Sequence, residues 1–144
     1  MNNENTHKLE VQLRYSDTDQ MGVIYHANYF SYFEQARTKF LKDLGFDYYK
    51  VEEDGIIFPV RDVSCTYLKA IRFKEKIYIT TKIHKLTKIK ITYYHEIYNL
   101  EGELKATAYT TVISVDKATF NIIKMDERLK EIYQKYQTLL QKTQ

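Results

Sequence analysis

The sequence predicts an α+β fold: a curled antiparallel β-sheet wrapped around one long central α-helix, with a further helix at the C-terminus. Three observations carry that expectation. A helical apolar stripe runs over about residues 27–44, with Tyr29, Phe33, Ala36, Phe40 and Leu44 on one face and Phe30 and Leu41 beside it. After residue 55 come four stretches rich in Ile, Val, Thr and Tyr, at 56–67, 76–86, 89–100 and 104–115. The connections at 86–88 and 100–103 are short, which suits antiparallel neighbours.

Taken in order, residues 1–7 read as a flexible polar arm. Leu9, Val11 and Leu13 then alternate with Glu10, Gln12 and Arg14, the period of a half-buried strand. Ser, Asp, Thr and Gly break that pattern over 15–27, a loop. The long helix follows, about 25 Å at 1.5 Å per residue, with Glu34, Arg37, Lys39 and Lys42 available for its wetter face. Gly45 stands where a left-handed terminator belongs. Beyond the four strands a short one is expected near 120–123. Asp126 then caps a helix over 126–142 that places Leu129, Ile132, Tyr133, Tyr136 and Leu140 on one face.

The 144 residues suit one domain, 1–144. With 44% hydrophobic and 28% charged residues, the chain has the composition of a folded globular protein. No apolar run approaches the roughly 18 residues of a membrane span. The first ten residues lack the apolar centre of a signal peptide, and the single Cys65 makes no internal disulfide, so the expected setting is the cytoplasm. A net charge of +3 is too weak to argue for nucleic acid.

The stretch from Tyr15 to Tyr29 puts Asp17, Asp19, His26 and Gly22 in the loop that enters the central helix. Free N–H groups and the positive dipole end at a helix N-terminus stabilise developing negative charge. A carboxylate beside them can act on a carbonyl whose oxygen those N–H groups polarise. On composition alone the same aspartates also read as turn caps, and His26 as a surface residue.

The run Tyr15-x-Asp17-Thr18-Asp19-x-x-Gly22-Val23-x-Tyr25-His26-Ala27-Asn28-Tyr29, continued by Phe33-Glu34-x-Ala36-Arg37-Thr38, resembles the hotdog-fold acyl-CoA thioesterases. The nearest pattern is that of the YbgC-like subgroup of the 4-hydroxybenzoyl-CoA thioesterase family. Tyr67, Ala70 and the strand after them fall where that family continues its sheet, so the likeness covers about residues 8–125. It implies a hotdog fold and hydrolysis of an acyl-CoA thioester to a carboxylic acid and CoA. Asp19 matches the catalytic carboxylate, with His26 and Tyr15 at supporting positions, and the backbone N–H at His26 polarises the thioester oxygen. Gly22, Tyr25 and Asn28 fall on the substrate side of the motif, while Asp17 holds the loop. Phe58 borders the acyl pocket, and Lys69, Arg72, Lys88 and Lys90 are candidates to meet the CoA phosphates. The resemblance further implies a homo-oligomer, a dimer with sites at its interface or a dimer of dimers. It requires no metal and no cofactor beyond the CoA of the substrate.

Other readings compete for these residues. Asp17-x-Asp19-x-Met21-Gly22 begins like a calcium loop, but Met21 and Asn28 stand where oxygen donors and a bidentate Glu are needed. Asp17, Asp19 and His26 lack a second nearby histidine for a transition metal, and one short loop rarely opposes two carboxylates across a sugar. Cys65, inside a strand, reads as an inert buried thiol, and His84 and His95 as ordinary strand residues. The lysines over 82–90 read as a solvated strand face rather than a nucleic-acid surface, and the C-terminal helix as packed on the sheet rather than on a membrane. An acyl carrier protein as thioester donor, and a non-catalytic acyl-CoA or lipid binder, are the rival functions. The carboxylate at 19 favours chemistry over mere binding.

Overall fold

The change of hydrophobic period near Asn28 is the event that organises the chain: it ends the extended segment and starts the helix on which everything else packs. The computed structural model describes residues 7–142; apart from His7, the expected polar arm lies outside them. Strand β1 is His7–Val11, helix α1 Asn28–Asp43, α2 Tyr48–Glu53, β2 Ile56–Ile57 and β3 Val60–Tyr67. There follow β4 Ile77–Leu86, β5 Lys90–Asn99, β6 Leu104–Ile113, β7 Val115–Asp116, α3 Met125–Arg128 and α4 Lys130–Lys142. The main sheet has the order β1-β4-β5-β6-β3, and every neighbouring pair is antiparallel. A two-stranded β2–β7 pair stands beside it.

Alternation puts Ile77, Ile79, Ile83, Ile91, Tyr93, Ile97, Ala106, Ala108 and Val112 on the inner face of the sheet. Against them α1 buries Tyr29, Tyr32, Phe33, Ala36, Phe40 and Leu41. The helix ends on Gly45 at φ +93°, where its N–H donates to the Lys42 carbonyl at 2.9 Å and Phe46 N–H to Leu41 at 3.1 Å. That is the left-handed stop expected from the sequence, closed by two of the orphan carbonyls. The α+β hotdog architecture is the one observed. Among the described residues no helix is long and apolar enough to cross a membrane.

Several local expectations need correction. Arg37 is not on the wet face of α1: the side of the helix that meets α2 and β2 covers it, leaving it 8% exposed. Conversely Phe30 is 43% exposed. The stretch 56–67 breaks at Phe58-Pro59, because proline has no N–H for the ladder, and it feeds two sheets. The segment 48–53, too short to show a period, is helical and capped by Asp47, whose Oδ1 accepts from Tyr49 N–H at 2.9 Å. At 120–123 only a single bridge, Val115 to Ile122, forms. Asp126 lies in the first turn of α3 rather than at its cap, and the C-terminal helix breaks at Leu129. Cys65 is half-buried, and burial pushes its thiol up from the ordinary value.

Candidate active site

Before α1 the chain is folded into a tight turn and clamped to the helix start. Thr18 bridges Ile24 antiparallel, Asp19 N–H donates to the Val23 carbonyl at 2.9 Å, and Gly22 N–H to the Asp19 carbonyl at 3.1 Å. Gly22 has φ +78°, a left-handed backbone that an L side chain resists. The half-buried Asp19 carboxylate sits at the head of this turn, where its Oδ1 accepts from Met21 N–H at 2.8 Å.

Asp17 is the clamp. It is 5% exposed, and its Oδ2 accepts from the Tyr32 phenol at 2.9 Å and from Arg14 N–H at 3.2 Å. Its carbonyl accepts from Tyr25 N–H at 2.9 Å and from the Asn28 side-chain amide at 2.8 Å. The bonds from Tyr32, Tyr25 and Asn28 tie the turn to the mouth of α1, and the Arg14 bond closes the turn on itself. Burial first, then the Asp17 bond, holds the Tyr32 phenol above its ordinary value, so it stays protonated as the donor.

At that mouth, Asn28 N–H donates to Tyr25 and Tyr29 N–H to His26, at 3.0 and 3.3 Å. Among the described residues none accepts from the His26 N–H, which leaves a donor at the positive end of α1. The His26 carbonyl accepts from the Tyr67 phenol at 2.9 Å, and the Tyr67 ring packs edge-on to Tyr29 with centroids 4.8 Å apart. Burial holds Tyr67 above its usual range, and pushes Tyr29 up to about 12. The exposed His26 ring lies 4.5 Å from that of Tyr25.

A second brace reaches the turn from behind. Ile24 N–H donates to the Ile71 carbonyl at 2.8 Å, and Val23 bridges Arg72. The segment carrying Ile71 and Arg72 is held by Lys105 of β6. Its buried ammonium donates to the Ala70 carbonyl at 3.1 Å and pairs with Glu75 at 2.8 Å and Glu103 at 3.1 Å. The Glu75 Oε2 in turn accepts from Arg72 N–H at 2.7 Å.

The structure therefore brings Asp19, Gly22, Tyr25, His26, Asn28 and Arg72 together around one turn and one helix start. Tyr15 opens the same turn, its carbonyl accepting from Thr18 N–H at 3.1 Å and from the Thr18 hydroxyl at 2.7 Å, while Lys88, Lys90 and Phe58 stand apart. Tyr15 is 77% exposed, its ring edge-on to Phe73 at 5.7 Å. Lys69 is engaged by Glu103 at 2.6 Å. Lys88, 3.7 Å from Asp126, and Lys90 lie at the β4–β5 connection. That is the far end of a ten-residue strand from the Ile71 segment, about 30 Å along the chain's own sheet. Phe58 packs edge-on to Tyr48 at 6.2 Å, beside the middle of α1 rather than its start. Sequence reasoning did not single out Tyr32 or Lys105 and gave Tyr67 no role at the site. Their partners lie 15, 35 and 41 residues away, and no local pattern announces such bonds.

With this geometry in view, the comparisons with known proteins are decisive. A family profile described as the thioesterase-like superfamily matches residues 13–133. This chain belongs to that superfamily. YneP of Bacillus subtilis, provisionally named as an acyl-CoA thioesterase, is 38% identical over 130 residues, 90% of this chain and 94% of the relative. YbgC of Escherichia coli O6:H1, an acyl-CoA thioester hydrolase, is 31% identical over 106 residues, 74% of this chain and 79% of the relative. The crystal structure of a DHNA-CoA thioesterase from Staphylococcus aureus superposes with a TM-score of 0.86 at 38% identity, covering 97% of this chain and 95% of that one. The enzyme class expected from the sequence, a thioester hydrolase, is that of the superfamily.

Proposed function

We propose that this chain hydrolyses acyl-CoA thioesters, with Asp19 as the reacting carboxylate and the His26 N–H as the donor to the thioester oxygen. The observation that carries the reading is the pairing of a half-buried carboxylate on a clamped turn with an N–H at the start of α1 that no described residue uses. The likeness to YneP and YbgC supports acyl-CoA as the substrate class.

A thioester carbonyl is electrophilic and a thiolate leaves readily, so the site needs no strong base. In one route an Asp19 oxygen attacks the acyl carbon, and the C–S bond breaks. The thiolate then takes a proton, and water cleaves the resulting anhydride to restore the carboxylate. In the other, Asp19 removes a proton from the water that attacks. Developing charge on the carbonyl oxygen falls on the His26 N–H in both. Oxygen-18 found in Asp19 after multiple turnovers in labelled water selects the first route, with water attacking the aspartyl carbonyl of the anhydride.

A dimer fits this reading. Among the described residues strand β3 has a ladder partner on one side only, β6, and nearly all its residues are exposed. Such an edge is a template for the same strand of a second copy. The test of function is thiol release over short, long and aromatic acyl-CoAs, with Asp19→Asn alongside. Turnover that falls at least a hundredfold in the variant while acyl-CoA still binds supports the role of Asp19. Wild-type rates in the variant reject it.

A further inference from the structure

The misplaced arginine of α1 has a consequence away from the catalytic turn. Arg37 lines a cavity of about 310 Å³ between α1, α2 and β2, in the size range of small-molecule sites. The side chain is more than nine-tenths covered, yet among the described residues no hydrogen-bond acceptor meets its guanidinium and no carboxylate stands within ion-pair distance of it. Glu34 is one turn away on the same wall and does not close the gap. The guanidinium nitrogens are not sealed from solvent, so the five donors face the cavity with no protein acceptor among the described residues. Its charge is felt by its neighbours: burial, then Arg37, lowers His95 to about 3. The apolar part of the lining is Ile56, Phe58 and Val112 with the Tyr48 ring, and Glu52, paired with Lys117 at 3.1 Å, lines it too.

We propose that this cavity is a binding site for a carboxylic acid with an apolar body, the carboxylate forked onto Arg37 and the body against Ile56, Phe58 and Val112. A guanidinium matches a carboxylate through two parallel N–H···O bonds. One cation with the Glu34 and Glu52 carboxylates on the same cavity suits a monoanion better than a phosphate dianion. The site is separate from the Asp19 turn: Arg37 lies nine residue steps along the helix from Asn28, about 13 Å. The carboxylate belongs either to a free acid or to the far end of an acyl chain laid along α1.

Octanoate is the probe, octanamide its neutral counterpart, and the reporter the Nε–Hε resonance of Arg37 in the full-length protein. Octanoate is expected to shift that resonance saturably, with octanamide binding at least about tenfold more weakly. Arg37→Met, checked for folding by its amide spectrum, is expected to lose octanoate binding by a similar factor. Equal binding of the amide, or undiminished binding in the variant, overturns the proposal. Should Arg37→Met fail to fold, Phe58→Ala decides: about a fivefold or greater loss of octanoate affinity supports the site, and an unchanged affinity overturns it. The source of the carboxylate is read from KM for the mono-CoA ester of decanedioic acid against decanoyl-CoA. A rise in Arg37→Met confined to the diacid ester supports an acyl-borne carboxylate. Octanoate binding that depends on Arg37, with no such split, supports a free acid.

Discussion

The phenol of Tyr67, at the end of β3, donates to the backbone carbonyl of His26 at 2.9 Å. That bond joins the edge strand of the sheet to the peptide just ahead of α1. A peptide plane is rigid, so fixing the His26 carbonyl fixes the plane it shares with the Ala27 N–H, and limits the preceding plane, which carries the unused His26 N–H, to rotation about the two His26 dihedrals. The Tyr29 ring supports Tyr67 from the first turn of the helix. The edge strand thus participates in the geometry of the helix mouth, although no catalytic atom lies on it.

Tyr67→Phe keeps the ring contact and deletes the bond. The expected stability loss is small, about 1 kcal/mol, while kcat falls by up to about tenfold with KM little changed. Steady-state kinetics beside a thermal melt separates the two. A variant with undiminished kcat would show that the bond orients nothing the reaction uses.

Lys105→Met tests the brace behind the turn. Removing the ammonium leaves Glu75 and Glu103 without their shared partner and releases the Ala70 carbonyl, so stability is expected to fall by about 2 kcal/mol. The loosened segment carries Ile71, so the Ile24 amide should exchange faster with deuterium while amides of central β5 change little. The pH dependence has a defined sign. Lys105 lies above its ordinary value, raised by hydrogen bonds to Glu75 and Glu103 against an opposing burial effect, and its contribution fades as pH rises through its folded pKa, beyond pH 10. Glu75 is held below the usual carboxylate range: burial opposes the shift, but its bonds to Lys105 and Arg72 prevail. Its contribution is lost as pH falls through that lowered value. The difference in stability between wild type and variant should be flat between these limits and shrink outside them.

How far the sequence reaches depends on how local the cause is. The helix from 28 to 43, the alternating strands and the Gly45 stop were legible because each rests on a period or on one residue's backbone preference. The loop ahead of α1 was legible through its turn residues. What escaped was set by distance: Arg37 reads as polar on a helical wheel, and only the later arrival of α2 and β2 covers it. Lys88 and Lys90 stand at the β4–β5 connection, and only the fold sets the Asp19 turn on the Ile71 segment at the other end of β4.

His95 makes acid stability a readout of the core. It is fully buried in β5, stacked on Phe33 at 4.9 Å, with Nδ1 2.9 Å from the Thr81 hydroxyl. Burial first, and the Arg37 charge second, lower it to about 3. The unfolded chain therefore binds a proton near pH 6.5 that the folded chain refuses until about pH 3. This contribution to stability is whole above pH 6.5 and declines as pH falls through that window, by up to about 1.4 kcal/mol per unit. His95→Gln should flatten that decline in denaturant melts run from pH 7 to pH 4. An equal slope in wild type and variant would place the acid sensitivity elsewhere.

Gly22 separates two reasons for a glycine at the turn ahead of α1. A Cβ built there meets nothing within 4 Å, so the chain itself leaves room for a side chain, and the backbone angle of +78° is the remaining demand. If that demand is the whole reason, Gly22→Ala should cost about 1–2 kcal/mol and Gly22→Asn less, because asparagine tolerates the left-handed region. Activity should then follow stability, with asparagine the milder replacement. If instead the glycine keeps the approach open for the thioester, both variants raise KM, and the larger asparagine does so more. The order of the two variants in KM, read against their order in a thermal melt, decides between backbone and access. The empty surroundings of Gly22 and its hydrogen bond to the Asp19 carbonyl at 3.1 Å favour the backbone order, with alanine the worse of the two.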